Sequence, residues 1–290
     1  MQPTRRTFLA SAALTAAGAG LTARGADDKP KVGHKTKFAA NCEMWWGKIR
    51  KFTDRLEAAA KLGFDAVEFW PWRNKDLNAV ADTCKTHGIK IVQFTAWGFT
   101  PGMNDPKNHN HLVEEVEASC ETAKKLDCKM MCVVGGNDIR GMSQQQMHEN
   151  IIVGLKKIAP IAEKHDMTLI LEPMNIRVDH KGHCLYGSEP GVKIIRAVGS
   201  THIKLLFDLY HNHITEGDLC GHIRDGFKEL GYVQVADHPG RTEPGTGEIH
   251  YNRVYKELWA LGYRGYVGVE CRPAKTEEIA TEGVTKSDVW

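Results

Sequence analysis

Four polar side chains end or interrupt apolar stretches in the second half of the chain, where they are well placed for chemistry. They are Glu172 at the end of LILE, Asp208 at the end of KLLFD, Gln234 within YVQVA and Glu270 at the end of YVGVE. A lone carboxylate among buried apolar residues is costly, so we expect a cationic partner. Three carboxylates and one amide oxygen are hard ligands that favour Mg²⁺ or Mn²⁺ over Zn²⁺, with Co²⁺ as a further option. The alternative is an ordinary ion pair between each acid and a nearby Lys or Arg.

Eight short apolar segments alternate with longer amphipathic segments from Lys37 onward. The predicted strands are Phe38 to Trp45, Ala66 to Trp70, Lys90 to Thr95, Met130 to Val134, Thr168 to Glu172, Ile203 to Asp208, Tyr232 to Ala236 and Tyr266 to Glu270. Apolar residues at helical spacing predict helices over Thr53 to Leu62, Leu77 to His87, His111 to Leu126, Ser143 to His165, Glu189 to Val198, Leu219 to Leu230 and Tyr251 to Leu261. This alternation over about 250 residues predicts a single α/β domain, a (β/α)8 TIM barrel at residues 37–290.

Residues at the predicted helix ends support these boundaries. Thr53 and Ser143 are expected to cap helix N-termini. Glycines are expected to end helices at Gly63, Gly88, Gly199, Gly231 and Gly262. The competing architecture, a doubly wound sheet, would carry a Gly-rich phosphate turn after its first strand, and Asn41 to Gly47 (NCEMWWG) has none. In a TIM barrel the site lies at the C-terminal ends of the strands, which is where the four polar residues are.

The segment from Tyr232 to Ile249 joins a β-prone stretch to a loop rich in proline and glycine. Because Pro239 to Gly247 combines rigid and permissive residues around Arg241, we expect a shaped loop and not a flexible linker. Strand alternation turns Asp237 to the opposite face from Gln234. Gln234 is therefore the predicted ligand in this segment.

Six stretches resemble hydroxypyruvate isomerase and its relatives among the xylose-isomerase-like barrels: FAANCEMWWG, LGFDAVEFW, LILEPMN, KLLFDLYH, YVQVADHPGRTEPGTGEI and YVGVECRP. The resemblance spans Lys37 to Pro273, and its most specific element is the ADxPGRxEPGxGE pattern. It implies one divalent cation bound by Glu172, Asp208, Gln234 and Glu270. It also implies that Glu172 and Glu270 form an acid/base pair, with Glu172 as proton donor and Glu270 as acceptor. The implied reaction converts hydroxypyruvate to tartronate semialdehyde through an enediolate.

Three residues are candidates for substrate binding. His211, three residues after Asp208, and Arg241 in the Pro/Gly loop are able to hold a hydroxyl or a carboxylate. A structural hydrogen bond is the alternative role for His211. Trp97 is the best pocket candidate among the tryptophans near strand ends, which otherwise pack in the core or at the rim: Trp45, Trp46, Trp70, Trp72 and Trp97.

Two departures from the family pattern leave the substrate open. Gln93 to Trp97 (QFTAW) stands where many relatives have His-Asn-Leu-Pro, and Cys271 to Pro273 stands where Tyr-Lys-Pro is usual. Both are expected to lie where substrate is held. The substrate is therefore a small hydroxy-keto acid or sugar. A ketose 3-epimerase, a polyol dehydratase and a non-catalytic exported sugar-acid binding protein are alternatives, whereas an endonuclease of this fold would need several more histidine ligands.

Charge and cysteine content exclude other classes. The chain of 290 residues has 38 Lys and Arg against 36 Asp and Glu, and three of the basic residues lie in the first 26 positions, which contain no acid. No electrostatic case for nucleic-acid binding remains. The eight cysteines form neither a CxxC pair nor a compact framework, so we expect buried thiols and not a zinc or disulfide scaffold.

The N-terminus predicts export. Thr4 to Leu9 reads TRRTFL, and the apolar run from Phe8 to Leu21 is too short to span a bilayer but suits a signal peptide. Residues 1–26 resemble a twin-arginine signal, followed by a flexible linker at residues 27–36. We therefore expect a periplasmic enzyme without stable membrane insertion, and a homo-oligomer is compatible with the sequence. A cytoplasmic location is the alternative.

Overall fold

Eight parallel strands close into a barrel in the computed structural model, which describes residues 31–290. The strands are β1 (Lys37–Asn41), β2 (Ala66–Phe69), β3 (Lys90–Trp97), β4 (Met130–Val134), β5 (Thr168–Glu172), β6 (Ile203–Asp208), β7 (Leu230–Val235) and β8 (Tyr266–Val269). Strands that follow one another in sequence pair in space, and β8 pairs with β1. The predicted TIM barrel is confirmed. The predicted export signal lies outside the described residues.

Helices pack their apolar faces against the strands. They are α1 (Phe52–Lys61), α2 (Leu77–His87), α3 (His109–Lys125), α4 (Gln144–His165), α5 (Ser188–Val198), α6 (Leu209–Thr215), α7 (Leu219–Gly226), α8 (Tyr251–Leu261) and α9 (Glu277–Lys286). Sequence reasoning missed α6 because it begins directly after β6, and it missed α9 and the 3-10 turn Pro106–Asn108. In the described part of the chain, no helix combines the length and the apolar character needed to cross a bilayer.

Several predicted boundaries shift for local reasons. β1 ends at Asn41 and not at Trp45, because the Asn41 side chain starts a turn by accepting the backbone N–H groups of Glu43 at 3.0 Å and Met44 at 3.2 Å. β3 continues to Trp97, past its predicted end. Gly231 lies inside β7 and not at a helix end, so that prediction was wrong. Glycine is needed there because a Cβ would stand 2.6 Å from the Cβ of Lys204 on β6.

The helix caps are partly as predicted. Ser143 caps α4, with its hydroxyl accepting the Gln146 N–H at 3.2 Å. Thr53 lies inside α1, whose N-cap is Lys51, so that prediction was wrong. Gly63 follows the C-cap of α1 by one residue. Three predicted glycines occupy helix C-caps in the left-handed conformation: Gly88, Gly199 and Gly262.

The barrel interior has its own apolar cluster, separate from the core between strands and helices. Its buried members are Cys132, Val134, Ile170, Met174, Leu206 and Tyr232. Strand alternation puts Glu172 on the face of Ile170 and Asp208 on the face of Leu206, and Gln234 likewise follows Tyr232. The polar residues therefore project into the barrel mouth above a packed apolar layer.

The described end of the predicted linker is tied to the C-terminus. The Oδ2 atom of Asp288 accepts the backbone N–H groups of His34 at 2.7 Å, Lys35 at 2.7 Å and Thr36 at 2.8 Å. Val32 is buried. These contacts fix the entry of the chain into β1.

Candidate active site

Three buried carboxylates converge at the ends of β5, β6 and β8. We call Glu172, Asp208 and Glu270 the carboxylate cluster. One oxygen from each of them and one ring nitrogen of His211 all lie within 4.8 Å of one another. Each of the four residues is at most 6 % exposed. The structure thus brings together the three acids singled out in the sequence and adds His211.

Asp208 both ends β6 and begins α6. Its Oδ1 accepts the backbone N–H groups of Tyr210 at 2.8 Å and His211 at 3.4 Å, as an N-cap does. Its Oδ2 is buried and has no hydrogen-bond partner among residues 31–290. One oxygen therefore fixes the strand-to-helix turn and the other is free to bind a ligand.

Gln234 is oriented in a similar way by its amide nitrogen. Its Nε2 donates to Glu68 Oε1 at 2.8 Å, which turns its Oε1 away. Within the described part of the chain this buried Oε1 has no hydrogen-bond partner. Buried acceptors without partners are costly. Together with the Oδ2 of Asp208, this oxygen is chemically suited to a cation.

Burial raises the pKa of each carboxyl group in the cluster. For Glu172 the pKa rises well above its usual value, first through burial and then through repulsion from Glu270 and Asp208. Burial raises the pKa of Asp208 to about 6, although Arg241 opposes the change. The pKa of Glu270 is also raised by burial, again opposed by Arg241. A divalent cation bound between these groups would offset both the burial cost and the repulsion.

Arg241 extends from the Pro/Gly loop into the cluster. Its Nη2 donates to Glu270 Oε2 at 2.8 Å and lies 3.6 Å from Asp208 Oδ2, and its guanidinium carbon lies 5.0 Å from the Tyr210 ring centroid. The loop is fixed by Asp237, whose carboxylate accepts the backbone N–H groups of Gly245 at 2.8 Å and Ile249 at 3.1 Å. Asp237 thus faces away from the cluster, as strand alternation predicted, and shapes the loop that carries Arg241.

The tautomer of His211 follows from its neighbour Asn175. The Asn175 amide oxygen accepts the backbone N–H groups of Val178 and Asp179, so its nitrogen must donate to His211 Nδ1 at 2.7 Å. This is shorter than the 3.4 Å contact between Arg241 and Nε2. Burial lowers the pKa of His211 well below its usual value, so the ring is neutral with its proton on Nε2. The Nε2 atom of His211 lies 3.4 Å from Asp208 Oδ2.

A cavity of about 690 Å³ opens directly above the cluster. Its lining includes Glu172, Glu270, His211, Arg241 and Trp97. The Trp97 indole N–H is buried without a hydrogen-bond partner among the described residues. All three predicted substrate-binding residues therefore face the same cavity as Glu172 and Glu270, which gives a substrate access to both glutamates.

Comparison with known proteins places this fold and site in a family. A family model described as the xylose isomerase-like TIM barrel matches residues 56–287. Hydroxypyruvate isomerase of Escherichia coli (strain K12) is 30% identical over 248 residues, which cover 83% of this chain and 95% of that protein. The chain belongs to the xylose isomerase-like TIM barrel family. It is an enzyme of the isomerase class.

Two further relatives show the breadth of this family. The 2-oxo-tetronate isomerase of Pectobacterium atrosepticum is 28% identical over 257 residues, covering 83% of this chain and 94% of that protein. A crystal structure titled AP endonuclease, family 2, from Brucella melitensis has a TM-score of 0.80 and 27% identity, and covers 84% of this chain and 96% of that one. Among residues 31–290 here, the one cluster of potential metal ligands contains a single histidine, unlike the several expected of an endonuclease.

Glu68 is a site residue of this isomerase that sequence reasoning missed. It is fully buried on β2, and burial, followed by repulsion from Glu270, raises its pKa to about 7. It accepts hydrogen bonds from Asn41 Nδ2 at 2.9 Å, Gln93 Nε2 at 3.1 Å, Tyr232 Oη at 2.7 Å and Gln234 Nε2 at 2.8 Å. The available signal was the one acid inside the apolar strand AVEF. Glu68 thereby connects four strands beneath the carboxylate cluster.

The two departures from the family pattern differ in where they lie. Thr95, Ala96 and Trp97 line the cavity, as expected, whereas Gln93 points at Glu68. Cys271 is fully buried and does not contribute to the cavity lining, so its expected place beside the substrate was wrong. The reason is that strand alternation places Cys271 on the face opposite Glu270, where its side chain packs in the core between strands and helices. Of the predicted tryptophans, Trp45 and Trp46 are core residues.

Proposed function

We propose that this isomerase depends on a divalent cation and moves a proton between adjacent carbons of a hydroxy-keto acid or keto sugar. Hydroxypyruvate and tartronate semialdehyde are the candidate substrate and product. The observation that carries the proposal is the carboxylate cluster, whose ligand oxygens lie within 4.8 Å of one another in a buried site. Its relatives with isomerase activity on small keto acids support the same reaction class.

The chain offers four oxygen ligands for the cation. Glu172, Asp208, Gln234 and Glu270 would hold it, and Gln234 and Asp208 each present a buried oxygen that has no hydrogen-bond partner among the described residues. The all-oxygen set favours Mg²⁺ or Mn²⁺, with Co²⁺ as an option. When bound, such a cation polarises the substrate carbonyl and stabilises the negative charge that develops on its oxygen.

The two glutamates differ in their hydrogen bonds, which suggests different roles. Glu270 accepts from Trp70 Nε1 at 2.8 Å, Asn41 Nδ2 at 3.2 Å and Arg241 Nη2 at 2.8 Å. These donors favour its charged form, which suits the base that removes the proton. Among residues 31–290, Glu172 accepts a hydrogen bond only from the Cys132 thiol, at 3.5 Å. Burial raises its pKa, so its protonated form is favoured and it delivers the proton to the adjacent carbon. The roles exchange when the reaction reverses.

His211 and Arg241 complete the proposed substrate site. The neutral His211 ring offers its Nε2 proton to a substrate oxygen. The proton shift between the two carbons is accompanied by movement of the substrate hydroxyl proton to the neighbouring substrate oxygen, and His211 would lie beside these two oxygens. Arg241 provides a planar guanidinium that is suited to a substrate hydroxyl or carboxylate. Because its loop is fixed through Asp237, Arg241 is held in place before substrate arrives.

Cation dependence is tested with chelator-treated protein reloaded with Mg²⁺, Mn²⁺ or Co²⁺. We expect treatment to abolish conversion of hydroxypyruvate and reloading to restore it. Titration calorimetry should show that Asp208→Asn weakens cation binding by about tenfold or more. Glu248→Gln serves as the control, because Glu248 is an exposed acid that follows the Pro/Gly loop and lies outside the carboxylate cluster. Full turnover by chelated protein, or equal cation affinity in the Asp208→Asn variant, would contradict the proposal.

A further inference from the structure

The cavity is much larger than a three-carbon acid requires. A water molecule takes about 30 Å³ in the liquid, so hydroxypyruvate, with roughly seven non-hydrogen atoms, would occupy on the order of 100 Å³. The cavity measures about 690 Å³, within the range of sites that bind drug-sized molecules. Most of this space lies beyond the carboxylate cluster and would remain unfilled by such a substrate.

The additional space is bounded by aromatic rings. We call Trp70, Trp72, Trp97 and Phe99 the aromatic wall. These residues lie after β2 and at the end of β3, and all of them line the cavity. Aromatic rings provide large rigid surfaces that lose little conformational entropy when they bind a ligand.

The rings of the aromatic wall are braced by their neighbours. The Trp72 indole donates to Ser119 Oγ at 2.9 Å, and the Arg73 guanidinium carbon lies 4.3 Å from its ring centroid. Phe99 stacks on His180 with centroids 5.0 Å apart. The wall is therefore preformed and does not need to assemble around a ligand.

Polar groups beside the wall exclude a purely hydrocarbon ligand. Arg73 Nε donates to Glu115 Oε1 at 2.8 Å, and both residues line the cavity. The Trp97 N–H is an unpartnered buried donor within the described chain. A sugar ring matches this combination, because its C–H faces pack on aromatic rings while its hydroxyl groups, at the ring edge, need hydrogen-bond partners.

We infer, relying on the proposed function, that the substrate is a ketose that carries a second sugar ring. Its α-hydroxy ketone lies at the carboxylate cluster, and the second ring packs on the aromatic wall. The chemistry remains the proton shift described above: one C–H bond breaks and one forms on the adjacent carbon, while the hydroxyl proton moves to the former carbonyl oxygen, and no other reactant is needed. The second ring contributes binding energy and selects the substrate.

Gly98 provides a way to fill this space without disturbing the carboxylate cluster. It lies in the cavity lining between Trp97 and Phe99. A Cβ added at Gly98 would meet no heavy atom within 4 Å, and the residue does not have a left-handed backbone conformation. A larger side chain can therefore be introduced there without backbone strain.

The test compares hydroxypyruvate, D-fructose and isomaltulose, which is fructose bearing a glucosyl ring, using the cation-loaded enzyme in D₂O. We expect kcat/KM for deuterium incorporation to be about tenfold or more higher for isomaltulose than for D-fructose. Gly98→Phe should lower that ratio by about tenfold, and Gly98→Ala should leave it near the wild-type value. Thermal unfolding verifies that both variants are folded.

The outcomes separate this inference from the proposed function. A preference for hydroxypyruvate or D-fructose over isomaltulose would overturn the second-ring inference and leave the isomerase proposal intact. If Gly98→Phe leaves the ratio of kcat/KM for isomaltulose to kcat/KM for D-fructose unchanged, the second-ring inference is likewise overturned and the isomerase proposal stands. Absence of exchange with all three compounds would overturn both.

Discussion

The carboxylate cluster and the aromatic wall face one cavity but differ in how they are built. The cluster lies at the ends of β5, β6 and β8, where its side chains are buried. Its member Glu270 accepts three hydrogen bonds, from Asn41, Trp70 and Arg241. The wall comes from the residues after β2 and around the end of β3, and Trp70 is 37% exposed. We therefore expect substitutions in the cluster to change the chemical step, and substitutions in the wall to change which substrate is used.

The two regions also differ in how far they depend on the rest of the barrel. Glu68 lies beneath the cluster and binds side chains from β1, β3 and β7, including Gln234. A Cβ at Gly268 on β8 would overlap with Glu68 Oε2, so only glycine fits beside this carboxylate. The aromatic wall is supported by single contacts, such as the hydrogen bond from Trp72 to Ser119 and the stacking of Phe99 on His180. The cluster is thus tied to fold stability in a way that the wall is not.

The largest expected effect is the loss of acid/base catalysis in the cluster. Glu172→Gln and Glu270→Gln should each lower kcat by about 10²- to 10⁴-fold, because an amide cannot exchange the proton. Steady-state kinetics on hydroxypyruvate measures the change, and Glu115→Gln on the wall side is the matched control. If the control is impaired as strongly as the two cluster variants, the proposed division between regions is wrong.

Glu68→Leu should lower the free energy of unfolding by about 3 kcal/mol or more, since four buried donors lose their acceptor. Chemical denaturation measures the effect. Glu114→Leu is the control, because the Glu114 side chain is 78% exposed. Equal stability of the Glu68→Leu variant and wild type would show that the network beneath the cluster does not support the fold.

Trp70 joins the two regions, because its ring lines the cavity and its N–H binds Glu270 Oε1. The hydrogen bond from Trp70 lowers the pKa of Glu270. Trp70→Phe keeps a ring but removes this hydrogen bond, so the pKa of Glu270 should rise. The acid limb of the kcat/KM profile should therefore move to higher pH, with a loss of roughly three- to tenfold in rate. Trp72→Phe is the control, since its N–H binds Ser119. A shift in both variants, or in neither, would contradict the role given to Trp70.

The smallest effect concerns the pH dependence of stability in chelator-treated protein. Burial raises the pKa of Glu68 from 4.5 to about 7, so folding favours its protonated form. The associated stability is present below pH 4.5 and is lost as the pH rises through about 7. The excess stability of wild type over Glu68→Gln should therefore decrease between pH 5 and pH 8, as followed by denaturant unfolding. An excess that grows with pH would show that the Glu68 pKa is not raised.

The sequence was informative where local rules apply. Short apolar stretches followed by an acid identified Glu172, Asp208 and Glu270, because parallel strands bring their C-terminal ends to one side of the barrel. Strand alternation distinguished Gln234 from Asp237 correctly. The barrel was predicted from the count of eight strands alternating with helices. That count depends on local sequence patterns and not on contacts between the elements.

Features that depend on contacts across the barrel were not predictable. Glu68 interacts with Tyr232 and Gln234, which lie 164 and 166 residues away in sequence. The tautomer of His211 depends on Asn175, from a different loop. Each of these depends on distances that strand spacing alone does not determine.

The division of labour between Glu270 and Glu172 is tested most directly by deuterium exchange in the two cluster variants. Hydroxypyruvate is incubated in D₂O with cation-loaded wild type, Glu270→Gln or Glu172→Gln. We predict that Glu172→Gln still exchanges the substrate C–H proton through Glu270 while forming little product, and that Glu270→Gln does neither. Exchange retained in Glu270→Gln and lost in Glu172→Gln would contradict the assignment, and full product formation by both variants would contradict the acid/base mechanism itself.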